Sequence, residues 1–298
     1  MTDETSALLS PPDEQPSPEE VWDLVMEPTS PWFDLRLGDL WRYRDLVLLF
    51  VRRDFVAQFK QTILGPAWFV LQPLLATLMF TVVFGNIAGM SSDGLPKVLF
   101  YLSGTILWQY FANCLTNTAD TFRANAGIFG KVYFPRLVVP VSIVISQFLK
   151  LALQFAIFGV FLLYFLARGS TVHLTSAAGL LPVLVLIMAM FGLGSGIIIS
   201  SLVTKYRDLF YLVQYTVQLL MYTTTVIYPL SAITSPKLRL LILANPMTGI
   251  IETFRAGFLG TGSISPLYLG YSAAAACLVM LVGTILFTRV ERTFMDTV

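Results

Sequence analysis

Charged residues are absent from long stretches of this chain. Uncharged runs cover 61–92, 98–119, 169–204, 209–236 and 256–288, and a sixth, 137–167, is interrupted only by Lys150. A helix needs about 20 apolar residues to cross the hydrocarbon core of a bilayer. Trimmed at clusters of Gly, Pro and Ser, the runs predict six membrane-spanning helices at roughly 64–86, 98–119, 137–166, 178–203, 209–230 and 266–288. Between the fifth and sixth lies SPKLRLLILANPMTGIIETFRAGFLGTG, whose apolar pieces 240–244 and 247–251 are too short to cross. The Asn245-Pro246 break splits this segment into two short helices. That hairpin, 236–260, is read as re-entrant, with a pair of helices lying in the interface as the alternative. Glu252 and Arg255, three residues apart, can neutralise each other in either arrangement.

Ahead of the first span the pattern changes. On a helical wheel Arg42, Asp45, Arg52, Arg53 and Lys60 fall within an arc of roughly 100°. Val47, Phe50, Val51, Phe55 and Phe59 occupy much of the remainder, while Arg44 and Asp54 break the pattern. A helix with a basic face and an aromatic-aliphatic face lies in the plane of the membrane interface. Residues 35–63 are therefore read as an amphipathic interface helix, and Gly65-Pro66 as the turn into the first span. The expected fold class is an all-α polytopic membrane protein: six transmembrane helices, a preceding cytoplasmic interface helix and a re-entrant hairpin between spans 5 and 6. The transmembrane domain covers 64–298.

Composition agrees. Of 298 residues 56% are hydrophobic and 12% charged, with a mean hydropathy of +0.73, far from a soluble domain. The net charge of +1 hides an asymmetry, because residues 1–30 carry eight acidic side chains and no Lys or Arg. This Pro- and Ser-rich head reads as a disordered tail over 1–34. With the N-terminus placed inside, the inner connections carry thirteen Lys and Arg and the outer ones five, so both termini are expected to be cytoplasmic. Contact of the basic face with membrane lipids follows. The cysteines Cys114 and Cys277 read as apolar packers, and a single His makes a histidine metal site untenable.

Chemistry is sparse. His173 reads as a solvent-exposed loop residue, and no Ser-His-Asp set or carboxylate pair occurs in one loop. GIFGK, 127–131, lacks the spacing of a phosphate loop, so any ATP hydrolysis belongs to a different chain. Lys150 can bind an anion, pair with a neighbouring helix or extend to the interface. Tyr211, Tyr215, Gln218 and Tyr222 form one stripe of span 5, and Trp68 and Gln72 share a face of span 1. Flat aromatic faces beside hydrogen-bonding tips suit sugar rings, and equally suit packing or interface anchoring.

The segments WRYRDLVLLFVRRDF (41–55), FKQTILGPAWFVLQPLL (59–75), KVYFPRLVVP (131–140), TKYRDLFYLV (204–213), VIYPLS (226–231) and ANPMTGIIETFR (244–255) occur in order. Together they resemble the membrane subunits of ABC exporters for lipid-linked polysaccharides: O-antigen, capsule and teichoic-acid permeases. The resemblance runs from about residue 35 to the C-terminus and does not account for the acidic head. It implies a permease without enzymatic activity in a bacterial inner membrane, acting as a homodimer with two ABC ATPase subunits that bind ATP and Mg. This chain would hold no cofactor itself and contact no nucleic acid. The substrate implied is a polyprenyl-diphosphate-linked polysaccharide, with Arg52, Arg53 and Lys60 at the entrance for its diphosphate. Trp68, Gln72, Tyr211, Tyr215, Gln218 and Tyr222 would line its path. Residues 122–136 and 204–208, with Gly127, Lys131, Arg136, Lys205, Tyr206, Arg207 and Asp208, would rest on the ATPases. The hairpin, with Asn245, Pro246, Glu252 and Arg255, would form an outer gate. Rival readings are an ABC exporter of a drug or small glycolipid, a polyprenyl-linked glycosyltransferase, and an ion-coupled transporter. The last two lack the acidic loops and the internal repeats they call for.

Overall fold

A computed structural model describes residues 37–295 apart from Gly130, Tyr133, Thr204, Lys205 and Arg207, and all their side chains but those of Leu37, Asp39, Phe59 and 290–295. The tail expected over 1–34 lies outside the described residues. Among these residues every regular element is helical. Two helices precede the bundle, α1 (Leu37–Arg42) and α2 (Arg44–Phe59). Then follow α3 (Trp68–Phe80), α4 (Lys97–Ala119), α5 (Thr121–Phe129), α6 (Val138–Ala167), α7 (Leu181–Val203), α8 (Leu209–Leu220), α9 (Pro236–Leu243), α10 (Pro246–Phe258) and α11 (Pro266–Met295). Four stretches are long and apolar enough to cross a membrane: Gly65–Ile87, Val138–Ala167, Ser176–Val203 and Pro266–Arg289. Of the other two expected spans, α4 is a 23-residue helix buried along most of its length, and α8 has only 12 residues.

The bundle is organised around α7, which packs on α4 and α11. Glycines let these backbones approach. A Cβ on Gly196 would lie 2.5 Å from the Thr118 Cβ, and one on Gly192 2.7 Å from the Cys114 Cβ, so this face of α7 seats α4. Gly194 faces the other way, where a Cβ would meet the Met280 backbone at 2.7 Å. Apolar helices in lipid gain little from hydrophobicity when they associate, and close contact at small residues supplies the missing attraction. Cys114 is buried in this packing, whereas Cys277 is exposed.

The chain enters the bundle as the Gly65-Pro66 pattern predicts: Gly65 has φ +49° and Pro66 opens a short 3-10 turn leading into α3. Pro73 lies inside α3 and has no N–H to give the Phe69 carbonyl four residues back. The Gln154 side chain of α6 donates to that carbonyl instead, at 3.1 Å. Beyond Phe80 the helix widens into a π-helix, Thr81–Ile87, whose Gly85 carbonyl and Asn86 side chain accept from the Lys97 ammonium at 2.6 and 3.0 Å.

Three expectations change. The interface helix is not continuous over 35–63, because Tyr43 (φ −94°, ψ 20°) separates α1 from α2. Nor do its apolar residues form one face: Val47, Phe50 and Val51 bury against α6, while Leu48, Leu49 and Val56 are exposed. The helix expected over 209–230 ends at Leu220. A 3-10 turn, Met221–Thr223, follows, and Thr224 is extended (φ −125°, ψ 168°) at the head of a β-branched run that leads to Pro229. Asn245 caps α10 by accepting from the Met247 N–H at 3.1 Å, so the two short helices exist as read. They are unequal: α10 is buried from Met247 to Gly257, whereas only Ile242 of α9 is buried.

Gln154→Leu is expected to lower the melting temperature of the detergent-solubilised protein by the equivalent of about 1–3 kcal/mol, the cost of one buried unpaired carbonyl. Adding Pro73→Ala restores the N–H that the Phe69 carbonyl lacks, so the double variant should recover most of the loss. A double variant no more stable than Gln154→Leu alone would refute this account.

Candidate transport pathway

The stripe on α8 is a surface feature. Tyr211 and Tyr215 are 63% and 69% exposed, Tyr222 and Gln218 are also exposed, and Val217 is the only buried residue of the helix. Trp68 and Gln72 are exposed on α3. Both helices pack on α4, which carries the two aromatic groups on the outside of one chain. The Tyr228 hydroxyl donates to the Tyr222 carbonyl at 2.7 Å and fixes the end of the stripe.

The basic cluster divides. Arg52 and Lys60 are exposed. Arg53 turns inward: its guanidinium pairs with Asp54 at 2.8 Å and covers the Phe50 ring at 4.5 Å. It also reaches Asn125 of α5 at 3.5 Å, so its charge is largely spent within the fold. Lys150 is buried with its ammonium 4.8 Å from the centre of the Phe69 ring. It makes a cation–π contact inside the fold.

At the end of the bundle that carries α5, Gly127 and Lys131 are exposed. Arg136 is not a surface contact. It is buried, with its guanidinium 5.2 Å from the Phe129 ring, and braces the loop after α5. Tyr206 and Asp208 are exposed, and Asp208 stands at the start of α8, where a carboxylate favours the helix dipole. Lys205 and Arg207 lie outside the described residues. Arg123, which the motifs did not single out, holds Asp120 through two hydrogen bonds of 2.5 and 2.7 Å. Its guanidinium lies 4.8 Å from the centre of the Phe210 ring of α8. Hydrogen bonding to Asp120 raises the Arg123 pKa above its ordinary value, so the guanidinium stays charged.

The opposite end holds the most constrained charge. Arg255 is 1% exposed. It donates to the carbonyls of Thr225 (2.5 Å), Phe100 (3.1 Å) and Val226 (3.2 Å) and to the Ser103 hydroxyl (3.3 Å). It covers the Phe100 ring at 3.6 Å and pairs with Glu252 at 3.7 Å. Gly104 makes room, since a Cβ there would lie 3.0 Å from both the guanidinium and the Val226 backbone. Asn245 adds a long contact to Thr223 at 3.4 Å. The spacing of Glu252 and Arg255 announced the pair. Nothing local announced that the guanidinium would collect carbonyls from α4 and from the chain beyond α8.

Among the described residues no three His, Cys, Asp or Glu side chains come together as a metal site would require. The geometry offers surfaces and joints instead. Residues 45–259 match the sequence model of a family described as ABC-2 type transporter. The chain belongs to that family. An O-antigen export system permease protein RfbA of Klebsiella pneumoniae is 28% identical over 253 residues, 85% of this chain and 94% of the relative. One of Myxococcus xanthus is 29% identical over 223 residues, 74% and 82% of the two chains. The polysialic acid transport protein KpsM of Escherichia coli is 22% identical over 241 residues, 80% and 91%. As an ABC-2 membrane subunit the chain is a permease, not an enzyme, and the family implies a partner ATPase that uses the nucleotide. With its apolar helices it is a multi-pass membrane protein.

Within this ABC-2 fold, removing Arg255 leaves a buried Glu252 uncompensated and takes the guanidinium donor from the Thr225 and Val226 carbonyls, while the Phe100 carbonyl keeps the Ser103 hydroxyl at 2.8 Å. Breaking one partner of a buried pair costs about 3–5 kcal/mol. Arg255→Met is expected to abolish monodisperse elution from a sizing column. Glu252→Gln, which leaves every hydrogen bond of Arg255 in place, should retain a folded protein with a lower melting temperature. Equal damage from the two would contradict the assignment of the carbonyls as the main partners.

Proposed function

We propose that this chain is the membrane subunit of an ATP-driven exporter of polyprenyl-diphosphate-linked polysaccharide in a bacterial inner membrane, acting as a homodimer with two ATPase subunits. The relatives, named for O-antigen export and polysialic acid transport, support the substrate class. The observation that carries the reading is the stripe of α8, with its tyrosines and Gln218 on one bare face. Two copies turning these faces toward each other would enclose a path walled by rings and hydroxyls. Each ring contact with a sugar is weak, so a polymer slides along such a wall without being trapped.

In this reading α3, α4, α6, α7, α8 and α11 make six crossings, α8 being completed by the turn after Leu220, and the α9–α10 hairpin is a re-entrant outer gate. Both termini are cytoplasmic, as the excess of Lys and Arg in the inner connections supports. The α5 region and 204–208 then rest on the ATPases. Arg52 and Lys60 meet the diphosphate of the incoming lipid, while Arg53 shapes the entrance through Asp54. The lipid tail stays in the bilayer, the glycan enters past Trp68 and Gln72, and closure of the ATPase pair advances it along α8.

Tyr211→Ala with Tyr222→Ala is expected to cut surface polysaccharide at least tenfold while the partner ATPase still co-purifies with the tagged chain. Wild-type polysaccharide at preserved protein level would sink the aromatic path. Arg52→Gln with Lys60→Gln should weaken capture, seen in proteoliposomes as a higher KM for lipid-linked glycan with kcat little changed. An unaltered KM would reduce the basic end to a membrane anchor.

A further inference from the structure

α4 and α8 touch along the bundle and are joined again at both ends by an arginine. At the α5 end, Arg123 follows α4 directly, is held by Asp120 and covers Phe210 in the first turn of α8. At the hairpin end, Arg255 of α10 bonds Phe100 and Ser103 of α4 and the Thr225 and Val226 carbonyls beyond α8. Between these joints α8 buries only Val217. A helix packed so lightly along its body takes its position from its ends.

We infer that α4 and α8 form one closed frame, with Arg123 and Arg255 as its two corners, which moves as a unit and carries motion from the ATPase-facing end to the α9–α10 hairpin. The two rails bear the two segments assigned to ATPase contact: α5 is continuous with α4 through Asp120, and 204–208 runs into α8. Without a corner between them, a push on one segment would shear one rail past the other instead of reaching the hairpin. The corners differ in strength. Arg255 is fully buried and satisfied by three carbonyls, so the hairpin end is fixed. Arg123 is exposed, so its ring contact registers the rails with a small free energy. Arg123 and Phe210 are positioning residues in this scheme and touch no substrate. The inference rests on the reading of α5 and 204–208 as ATPase-facing segments.

The test uses the whole complex, permease with its co-purified ATPase, in proteoliposomes containing lipid-linked glycan. Phe210→Leu is expected to keep the melting temperature and ATP turnover but to lower glycan exported per ATP about fivefold, the factor an exposed cation–π contact controls. Phe210→Tyr, which keeps the ring, should retain wild-type coupling. Spin labels at Asn117→Cys on α4 and Leu212→Cys on α8, both exposed, in a Cys277→Ala background, read the rails directly. Their separation within a chain should be the same with and without ATP and vanadate, and should become nucleotide-dependent once Phe210→Leu is added. A separation that already changes with nucleotide without that variant, or full coupling in Phe210→Leu, overturns the frame. Failure of the underlying export reading looks different, because the unsubstituted complex itself would then move no glycan on ATP.

Discussion

A main-chain carbonyl released from a helix inside an apolar bundle must be given a donor by the protein, because lipid offers none. Among the described residues three places release such carbonyls to a side chain, and the fold is built around the side chains that answer them. Pro73 frees the Phe69 carbonyl, and the Gln154 amide of α6 takes it. The π-helical end of the first crossing frees Gly85, and the Lys97 ammonium at the start of α4 takes it. The unwound end of α8 frees Thr225 and Val226, and Arg255 takes both.

The donors scale with what is released. A neutral amide serves one carbonyl in a helix that continues beyond it. An ammonium serves a helix end and its neighbouring Asn86. A guanidinium, with five donors in a fixed fork, serves a segment that has left the helix altogether and still reaches α4. Each donor comes from another element, so local irregularity is converted into tertiary contact. Glycine does the complementary work along α7, where backbones remain helical and bonded internally and only need to approach.

What the chain order revealed follows the same division. Long apolar runs, broken only by Lys150 in α6, located α3, α6, α7 and α11, because crossing length and hydropathy are local properties. The Gly65-Pro66 turn and the Asn245-Pro246 break were legible for the same reason. The early end of α8 was not, because its apolar run continues past Leu220, and the residue that stabilises the departure, Arg255, lies 29 and 30 positions from the two carbonyls it bonds there. Arg136 read as a surface charge because a basic residue in a short connection usually is one. In the folded chain it is buried and packs against Phe129. Arg53 misled in the same way, since a helical wheel has no place for the neighbouring Asp54 or for Asn125 on another helix.

In the proposed reading, these constraints let α8 be a wall and a moving part at once. A helix that lines a path for a polymer has to leave its rings uncovered, which removes most of the packing that normally locates a helix. α8 gives up that packing along its body and recovers definition at its termini, through Phe210 under Arg123 and through the Thr225 and Val226 carbonyls on Arg255. Ending the helix at Leu220 is part of the arrangement. In a regular helix continued to 230 the Val226 carbonyl would bond the Leu230 N–H and only the Thr225 carbonyl, four residues before Pro229, would stay open, so Arg255 would lose one of the two carbonyls it holds beyond α8. Unwinding exposes them, and the hairpin's arginine is thereby attached to the backbone of the path rather than to an interchangeable side chain.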